Sequence, residues 1–335
     1  MTPVASGRLS ALSAVAGLVL FVASCLVLAA SCMASRRSEE ATRPEPTGDP
    51  AARRQTSGTD GGPKPVEPLA SWVYQLQGYP GDRLTDLARA PQRLVVVDLA
   101  RDAHADYFTP AEIARLRASG KVVLAYFEIG SIERFRPEYP TLPADLVLNQ
   151  WDAWPREFFV RYWDQRWWDG VVRPRVDQAL RAGFDGVYLD TPLAYEEIDL
   201  DLVEGRTRAR LATDMVDLIV RISEYAKQRR PGFWIVPQNS PELRLHGQGY
   251  TRAIDAIGME ELFFRATDDP CVEAYCLENL GNARALRDAG KLVLAVDYAA
   301  SPESVTAACA RYRAESFAGY IAALELDRAG PPCPN

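Results

Sequence analysis

One stretch decides the fold: Gly183-Phe184-Asp185-Gly186-Val187-Tyr188-Leu189-Asp190. Gly183 predicts the end of a helix, because glycine readily takes the left-handed conformation found just after a helix C-terminus. Asp185-Gly186 is a typical turn pair, and the apolar residues after it predict a short buried strand. Side chains alternate along a strand, so Tyr188 and Asp190 share one face. The stretch therefore predicts a helix end, a turn and a strand with a carboxylate at its C-terminal tip.

From residue 69 onward the chain repeats this alternation of short apolar runs and longer amphipathic ones. Eight apolar runs predict strands, at residues 72–76, 94–98, 122–128, 186–190, 234–238, 256–261, 292–297 and 319–324. Amphipathic runs predict helices, among them residues 110–119, 172–182, 211–228, 282–289 and 302–314. Near-continuous apolar strands separated by helices indicate a parallel α/β fold, and eight such units are typical of a (β/α)8 TIM barrel. An open doubly wound sheet is the alternative, disfavoured by the strand count and by the lack of a glycine-rich phosphate loop.

Most of the predicted strands end on polar side chains. In a barrel the C-terminal strand ends meet at one rim, where active sites of this fold lie. We therefore expect a pocket at this rim, although each residue taken singly has a plainer interpretation, such as Asp190 capping the segment after it. The polar residues at the predicted strand ends are Asp98, Tyr126, Glu128, Asp190, Gln238, Asn239, Glu260, Glu261, Asp297 and Tyr298.

Composition excludes several classes of function. The chain has 335 residues, a formal net charge of −7 and no basic stripe that would neutralise phosphates, which argues against nucleic-acid binding. It has only two histidines, His104 and His246, so a multi-histidine metal site is impossible. The sequence contains neither of the common glycine-rich nucleotide motifs, and we predict no metal and no cofactor. Any chemistry must then use carboxylates.

The N-terminal residues predict export. Residues 1–32 contain Arg8, then an apolar run over residues 11–30 and small residues before Cys32, a pattern typical of an export signal. Ala29-Ala30-Ser31-Cys32 resembles the lipobox of bacterial lipoproteins, which predicts acylation of Cys32. Simple cleavage and a retained membrane helix are the alternatives, since the apolar run is long enough to span a bilayer.

The residues after the export signal divide into a linker and a folded domain. Residues 33–68 hold almost no large apolar side chain and predict a disordered linker. We expect residues 69–335 to form one folded domain and the protein to be a monomer. It is expected to be either a lipoprotein of the cell envelope or a secreted protein, and to contact the membrane only through its N-terminal anchor.

Four late cysteines are compatible with an oxidising compartment. The favoured pairing joins Cys271 to Cys276 and Cys309 to Cys333, one of three possible connectivities. A zinc site made of the same four thiols is disfavoured, because their spacing is loose.

The long segment between the third and fourth predicted strands is rich in tryptophan. Five of the chain's seven tryptophans lie in residues 134–169. Flat aromatic faces stack on sugar rings and also bury large apolar areas. The segment is therefore either the lining of a glycan groove or an extra structural layer.

Several segments carry a resemblance to a known family. The segment quoted first is the most specific, and the others are Tyr74-Gln75-Leu76, Val97-Asp98, Ala125-Tyr126-Phe127-Glu128-Ile129-Gly130, Pro237-Gln238-Asn239, Gly258-Met259-Glu260-Glu261-Leu262 and Val296-Asp297-Tyr298. Together they resemble glycoside hydrolase family 114, (β/α)8 enzymes described as endo-α-1,4-polygalactosaminidases, from about Ser71 to Asp327. The resemblance implies hydrolysis of α-1,4 linkages in a galactosamine-containing polysaccharide, with Asp190 and Glu260 as the catalytic pair.

Two carboxylates are enough to cleave a glycosidic bond, since one protonates the leaving oxygen and the other attacks the sugar or activates water. We predict Asp190 as nucleophile and Glu260 as general acid/base. Glu260 is preferred to Glu261 because it shares a strand face with the small residues Ala256 and Gly258. Retention and inversion both stay open, because they need carboxyl separations of about 5 to 5.5 Å and about 6.5 to 9.5 Å respectively.

Neighbouring acids are expected to raise the pKa of the catalytic acid, as proton donation at neutral pH requires. The acids considered are Asp98, Glu128 and Asp297. An acidic groove would also attract a free amino group on the sugar. The candidates for sugar contacts are Tyr74, Asp98, Tyr126, Glu128, Tyr188, Gln238, Asn239, Asp297 and Tyr298.

Other functions share these sequence features. A glycan-binding envelope lipoprotein would keep the pocket without turnover, and a hydrolase of a different amino-sugar polymer would keep the chemistry. A purely structural envelope protein is disfavoured, because clustered like charges without a use are destabilising. Release of reducing ends from polymer separates the enzyme from the binding module.

Overall fold

The protein's computed structural model describes residues 71–265 and 268–333. Eight parallel strands form a barrel, which confirms the fold class predicted from the sequence. Four strands end one to three residues earlier than predicted, those expected at residues 72–76, 234–238, 256–261 and 319–324. The barrel strands are β1 (Trp72–Tyr74), β2 (Leu94–Asp98), β3 (Val122–Glu128), β4 (Gly186–Asp190), β5 (Trp234–Pro237), β6 (Ala256–Glu260), β7 (Leu292–Asp297) and β8 (Ala318–Ile321).

The strands close on themselves in chain order. Hydrogen bonds join β1 through β5 in one parallel run and β6 through β8 in another. Two isolated parallel bridges complete the ring, Gln238 with Gly258 between β5 and β6, and Ser71 with Gly319 between β8 and β1. All eight C-terminal strand ends therefore lie on one closed rim, and this closure excludes the open-sheet alternative.

Helices surround this barrel. They are α1 (Thr85–Arg89), α2 (Pro110–Ala118), α3 (Gln165–Trp167), α4 (Arg173–Ala182), α5 (Ala194–Glu197), α6 (Arg208–Arg229), α7 (Tyr250–Ala253), α8 (Ala274–Asp288) and α9 (Pro302–Glu315), with a π-helical turn at Trp168–Val172. Gly183 ends α4 with φ 88°, in the left-handed conformation expected of it. The helix predicted from residue 282 begins earlier, at Ala274. Gly281 lies exposed inside this helix, and a glycine there weakens a helix without ending it.

Aromatic rings fill the barrel interior beneath the rim. The ring centroids of Trp72 and Tyr188 lie 5.9 Å apart, those of Tyr74 and Tyr188 5.2 Å, and those of Trp72 and Tyr320 5.9 Å. All four side chains are buried. Gly258 makes this packing possible, since a Cβ atom at that position would lie 2.0 Å from the Tyr188 hydroxyl. The interior is therefore a dry aromatic floor rather than a channel.

The segment between β3 and β4 adds a small antiparallel sheet. Its strands are Ser131–Glu133, Val147–Trp151 and Trp154–Val160, with the last in the middle. Trp167 and Trp168 are buried, and the Trp167 indole donates to the Ile129 carbonyl oxygen at 2.9 Å. Only Trp154 among the five tryptophans is largely exposed, at 55%. The segment is mainly the structural layer that was one of its two interpretations.

Two disulfides confirm the favoured cysteine pairing. Cys271 is bonded to Cys276, and Cys309 to Cys333. Within the described residues Cys271, Glu273 and Cys276 come close enough to share a metal ion, but both sulfur atoms are already joined to each other. All four sulfurs are thus used in disulfides, which excludes the four-thiol zinc site.

The predicted export signal (1–32), the acylation of Cys32 and the linker (33–68) lie outside the described residues. Within residues 71–265 and 268–333, none of the helices has the length and apolar character needed to span a bilayer.

Candidate active site

Asp190 is held at the end of β4 by neutral hydrogen-bond donors. Its carboxylate accepts the Thr191 N–H at 2.6 Å and the hydroxyl of Tyr126. Thr191 has φ 61°, an unusual left-handed conformation for a β-branched residue. Its hydroxyl stabilises this conformation by donating to the Asp190 carbonyl oxygen at 2.8 Å and accepting the Gly130 N–H at 3.0 Å. Burial raises the pKa of Asp190 to about 6, although the bonds from Tyr126 and Thr191 lower it.

Glu260 is held in the same way at the end of β6. One carboxylate oxygen accepts the Tyr298 hydroxyl at 2.5 Å, and the other accepts the amide of Gln238 and, at 3.2 Å, that of Asn239. Asn239 also accepts the backbone N–H of Glu260 at 3.0 Å. Tyr74 donates to the side-chain oxygen of Gln238 at 3.1 Å, which directs the Gln238 amide nitrogen toward Glu260. These bonds fix the Glu260 carboxyl from three strands.

The two carboxyls act on one another. Burial and then the charge of Asp190 raise the pKa of Glu260 to about 7. Burial and then the charges of neighbouring groups, Glu260 and Asp190 among them, raise the pKa values of Tyr74 and Tyr188, and Tyr74 reaches Glu260 through Gln238. Asp190 and Glu260 are themselves partly exposed. The structure thus brings the predicted pair together at a solvent-accessible rim above the aromatic floor.

Asp98 and Glu128 end the neighbouring strands β2 and β3 but have arginine partners. Arg136 binds Asp98 and Glu128 at 3.0 Å each, and Arg175 approaches Glu128 at 3.4 Å. Both acids are only 1% exposed. Although burial raises the pKa of Glu128, Arg136 and then Arg175 hold it below its usual value. A sugar would reach either acid only by entering this buried ion-pair cluster.

Asp297, at the end of β7, is also turned inward. It accepts the N–H groups of Phe263 and Phe264 at 2.8 and 2.7 Å and the Tyr312 hydroxyl at 2.5 Å. Its exposed fraction is 0%. The structure places Asp297 where it fixes the loop after β6, whereas its neighbour Tyr298 reaches Glu260.

The acids expected to raise the catalytic pKa values prove less important than burial itself. Burial comes first for both Asp190 and Glu260. Glu128 contributes to the raised pKa of Asp190, but the charge that acts on Glu260 is that of Asp190. Arginine pairing is the physical reason at Glu128, where it lowers the pKa, whereas at Asp98 burial outweighs Arg136 and the pKa is raised.

Sequence reasoning missed two acids of the inserted sheet. Glu133 and Glu157 lie directly opposite one another on adjacent antiparallel strands. Burial and then Glu128 raise the pKa of Glu133 to about 8, while burial and then Asp190 raise the pKa of Glu157 to about 9. No strand-end pattern marks either residue, because the sheet that carries them is not part of the barrel.

A closed (β/α)8 barrel with two carboxyls at its C-terminal rim offers the two acidic groups that glycosidic cleavage needs. The chain belongs to glycoside hydrolase family GH114, whose family model matches residues 51–335. It is 34% identical over 262 residues to an uncharacterized protein of Deinococcus radiodurans, covering 77% of this chain and 81% of that one. It is 29% identical over 237 residues to an uncharacterized protein of Thermotoga maritima, covering 69% and 71%.

Solved structures show the same fold. The crystal structure of Ega3 from Aspergillus fumigatus in complex with galactosamine matches with a TM-score of 0.63 and 18% identity, over 82% of this chain and 100% of that one. The glycoside hydrolase domain of PelA from Pseudomonas aeruginosa matches with a TM-score of 0.59 and 19% identity, over 78% and 98%.

Proposed function

We propose that this hydrolase cleaves α-1,4 linkages in a galactosamine-containing polysaccharide, with Asp190 as nucleophile and Glu260 as general acid/base. The observation that carries the proposal is the pair of partly exposed carboxyls at the rim, each held by uncharged donors. Burial raises both pKa values in this order, that of Asp190 to about 6 and that of Glu260 to about 7. Near neutral pH this order favours an ionised Asp190 beside a protonated Glu260. That is the protonation state from which glycosidic cleavage begins.

In the first step Glu260 donates its proton to the glycosidic oxygen while the Asp190 carboxylate attacks the anomeric carbon. The bond to the leaving sugar breaks, and a glycosyl ester forms on Asp190. Tyr126 and the Thr191 N–H orient the attacking carboxylate, because both donate to it. Gln238, Asn239 and Tyr298 do the same for Glu260.

The second step reverses the role of Glu260. Esterification removes the negative charge of Asp190, which is one of the causes of the raised pKa of Glu260. Its pKa then falls, so the ionised Glu260 takes a proton from water as the water attacks the anomeric carbon. The free sugar leaves with its configuration retained, and both acids return to their starting states.

The substrate class rests on charge and likeness. The rim holds partly exposed acids, and a protonated amino sugar would reduce the repulsion among them. Ega3, a fold relative, is described in complex with galactosamine. Both observations favour a sugar with a free amino group.

We further propose that the protein is exported and acts at the cell envelope as a monomer, through the signal at residues 1–32 and acylation of Cys32. The two disulfides support this location, because such bonds persist mainly in oxidising compartments.

The test is hydrolysis by the purified chain of an α-1,4 galactosamine polymer, with its N-acetylated form and an anionic α-1,4-linked galacturonan as controls. We expect reducing ends from the free-amine polymer, with proton NMR showing the α anomer first. Saturable binding without release would instead establish the binding module. Equal rates on the anionic polymer would refute the amino-sugar specificity.

A further inference from the structure

A chain of hydroxyl groups connects a buried acid of the inserted sheet to the strand end that carries Asp190. Glu157 shares a hydrogen bond with the hydroxyl of Ser131. The Ser131 hydroxyl lies 2.9 Å from that of Thr191, which in turn lies 2.8 Å from the Asp190 carbonyl oxygen. The N–H of Thr191 then binds the Asp190 carboxylate at 2.6 Å. The proposed nucleophile is thus two side chains away from Glu157.

The hydrogens in this chain have two self-consistent arrangements, because each hydroxyl has a single hydrogen to donate. In the first, a protonated Glu157 donates to Ser131, Ser131 donates to Thr191, and Thr191 donates to the Asp190 carbonyl oxygen. In the second, Glu157 is ionised and the hydrogens run the other way, from Thr191 through Ser131 to Glu157. Ionisation of Glu157 therefore reverses the chain and releases the Thr191 hydroxyl from the Asp190 carbonyl.

The surroundings of Glu157 select the first arrangement. Glu157 is buried, and the acids that act on it are Asp190 on β4, Glu128 on β3 and Glu133 on the adjacent strand. Arg136 binds two of these acids, Glu128 and Glu133, both at 3.0 Å. Burial and then the charge of Asp190 raise the pKa of Glu157 to about 9, so it holds its proton at neutral pH.

We propose that Glu157 is a positioning residue, which as a neutral acid sets the direction of the Ser131 and Thr191 hydroxyls and so holds the Thr191 N–H against the carboxylate of Asp190. The proposal rests on the assignment of Asp190 as nucleophile. In the neutral arrangement the left-handed backbone at Thr191 is anchored on both sides, and Glu157 adds no negative charge beside the nucleophile. In the ionised arrangement both advantages are lost.

The first test compares Glu157→Gln with Glu157→Ala. Glutamine is neutral and can still donate to Ser131, so E157Q should keep kcat/KM within about twofold of wild type at neutral pH. Alanine leaves Ser131 without this partner, and E157A should lower kcat about tenfold with KM nearly unchanged. Equal losses in the two variants at neutral pH would overturn the proposal.

The pH profile gives a readout that a structural role would not change. Wild type loses both Glu260 and Glu157 protons at high pH, whereas E157Q loses only that of Glu260. The ratio of kcat/KM for E157Q to that for wild type should be flat to about pH 8 and rise above about pH 9 toward a plateau of about tenfold or more. A flat ratio throughout would overturn the proposal. The matched control is Glu242→Gln, at a partly buried acid bonded to Tyr195. The ratio of kcat/KM for this variant to that for wild type should stay flat over the whole pH range.

A stability measurement needs no activity and separates this proposal from the proposed function. The raised pKa of Glu157 means that the folded protein holds a proton that the unfolded chain loses, so stability falls as pH rises from about 4.5 toward about 9. E157Q lacks this loss, and its Tm should rise relative to wild type over that range. If the Tm of E157Q minus that of wild type stayed constant or fell over this range, Glu157 would not be a neutral acid and the proposal would be overturned. An inactive wild type would refute the proposed function alone.

Discussion

Two groups of acids at the same rim of the barrel have different partners. In the part of the chain that the structure describes, uncharged groups donate the hydrogen bonds to Asp190 and Glu260, among them the phenols of Tyr126 and Tyr298. Asp98 and Glu128 are buried against Arg136, with Arg175 also near Glu128. All four are strand-end carboxylates, but only the first two are partly exposed.

The difference shows what makes a carboxyl able to exchange a proton. A neutral donor orients a carboxylate without cancelling the cost of burying its charge, so the pKa stays raised, as in Asp190 and Glu260. An arginine offsets that cost, as in Glu128, and the acid becomes part of the scaffold. Asp297 has neutral donors as well but is fully buried, so the partner and the exposure together distinguish the two groups.

The largest effect is expected from removing either acid of the first group. Asp190→Asn and Glu260→Gln should each lower kcat/KM on the galactosamine polymer by about a thousandfold or more, because each removes an obligatory step. Circular dichroism and thermal unfolding should match wild type. A variant that keeps more than a tenth of the activity would remove its residue from the mechanism.

An intermediate effect, on stability, is expected in the second group. Arg136→Met leaves Asp98 and Glu128 buried without this cation and should lower the free energy of unfolding by about 3 to 5 kcal/mol in urea titrations. The matched control is Arg117→Met, which removes a more exposed ion pair with Asp185 at 2.8 Å and should cost less than about 1 kcal/mol. Equal costs in the two variants would erase the distinction between the groups.

The smallest effect sharpens the role of the neutral donors. In wild type, a plot of kcat/KM against pH should be bell-shaped. Its acid and alkaline limbs should lie near the pKa values of the two coupled carboxyls, about 6 and about 7. The Tyr298 hydrogen bond lowers the pKa of Glu260, so Tyr298→Phe should move the alkaline limb upward by about one pH unit. Tyr195→Phe removes a phenol bonded to Glu242 and should leave that limb in place. An alkaline limb that stays or moves downward in Tyr298→Phe would contradict this role.

Sequence reasoning predicted the fold, and it selected Asp190 and Glu260 as candidates, for a simple physical reason. Strands that are buried on both faces consist of continuous apolar residues and can be recognised in the sequence. Side chains alternate between the two faces of a strand, so Glu260 and Glu261 are expected to point to opposite faces. The structure agrees on the face, since Gly258 packs against Tyr188 inside the barrel and Glu260 bonds to Tyr298 above it.

The partners of the other strand-end acids were not predictable in this way. Arg136 lies 38 positions along the chain from Asp98, and Tyr312 lies 15 from Asp297. Such pairings depend on the three-dimensional course of the chain, which a local sequence pattern does not show. Glu157 is a further example, since only the register of the inserted sheet brings it toward Asp190.

The glycine at position 258 has a consequence for the depth of the cleft. The Tyr188 phenol occupies the volume that any side chain at that position would need. A larger residue there would force the phenol upward toward the sugar or out of its tilted ring contacts with Trp72 and Tyr74. How deeply a ring can settle between the two acids is therefore set by one missing methyl group on β6, and any change of that depth has to alter residues 188 and 258 jointly.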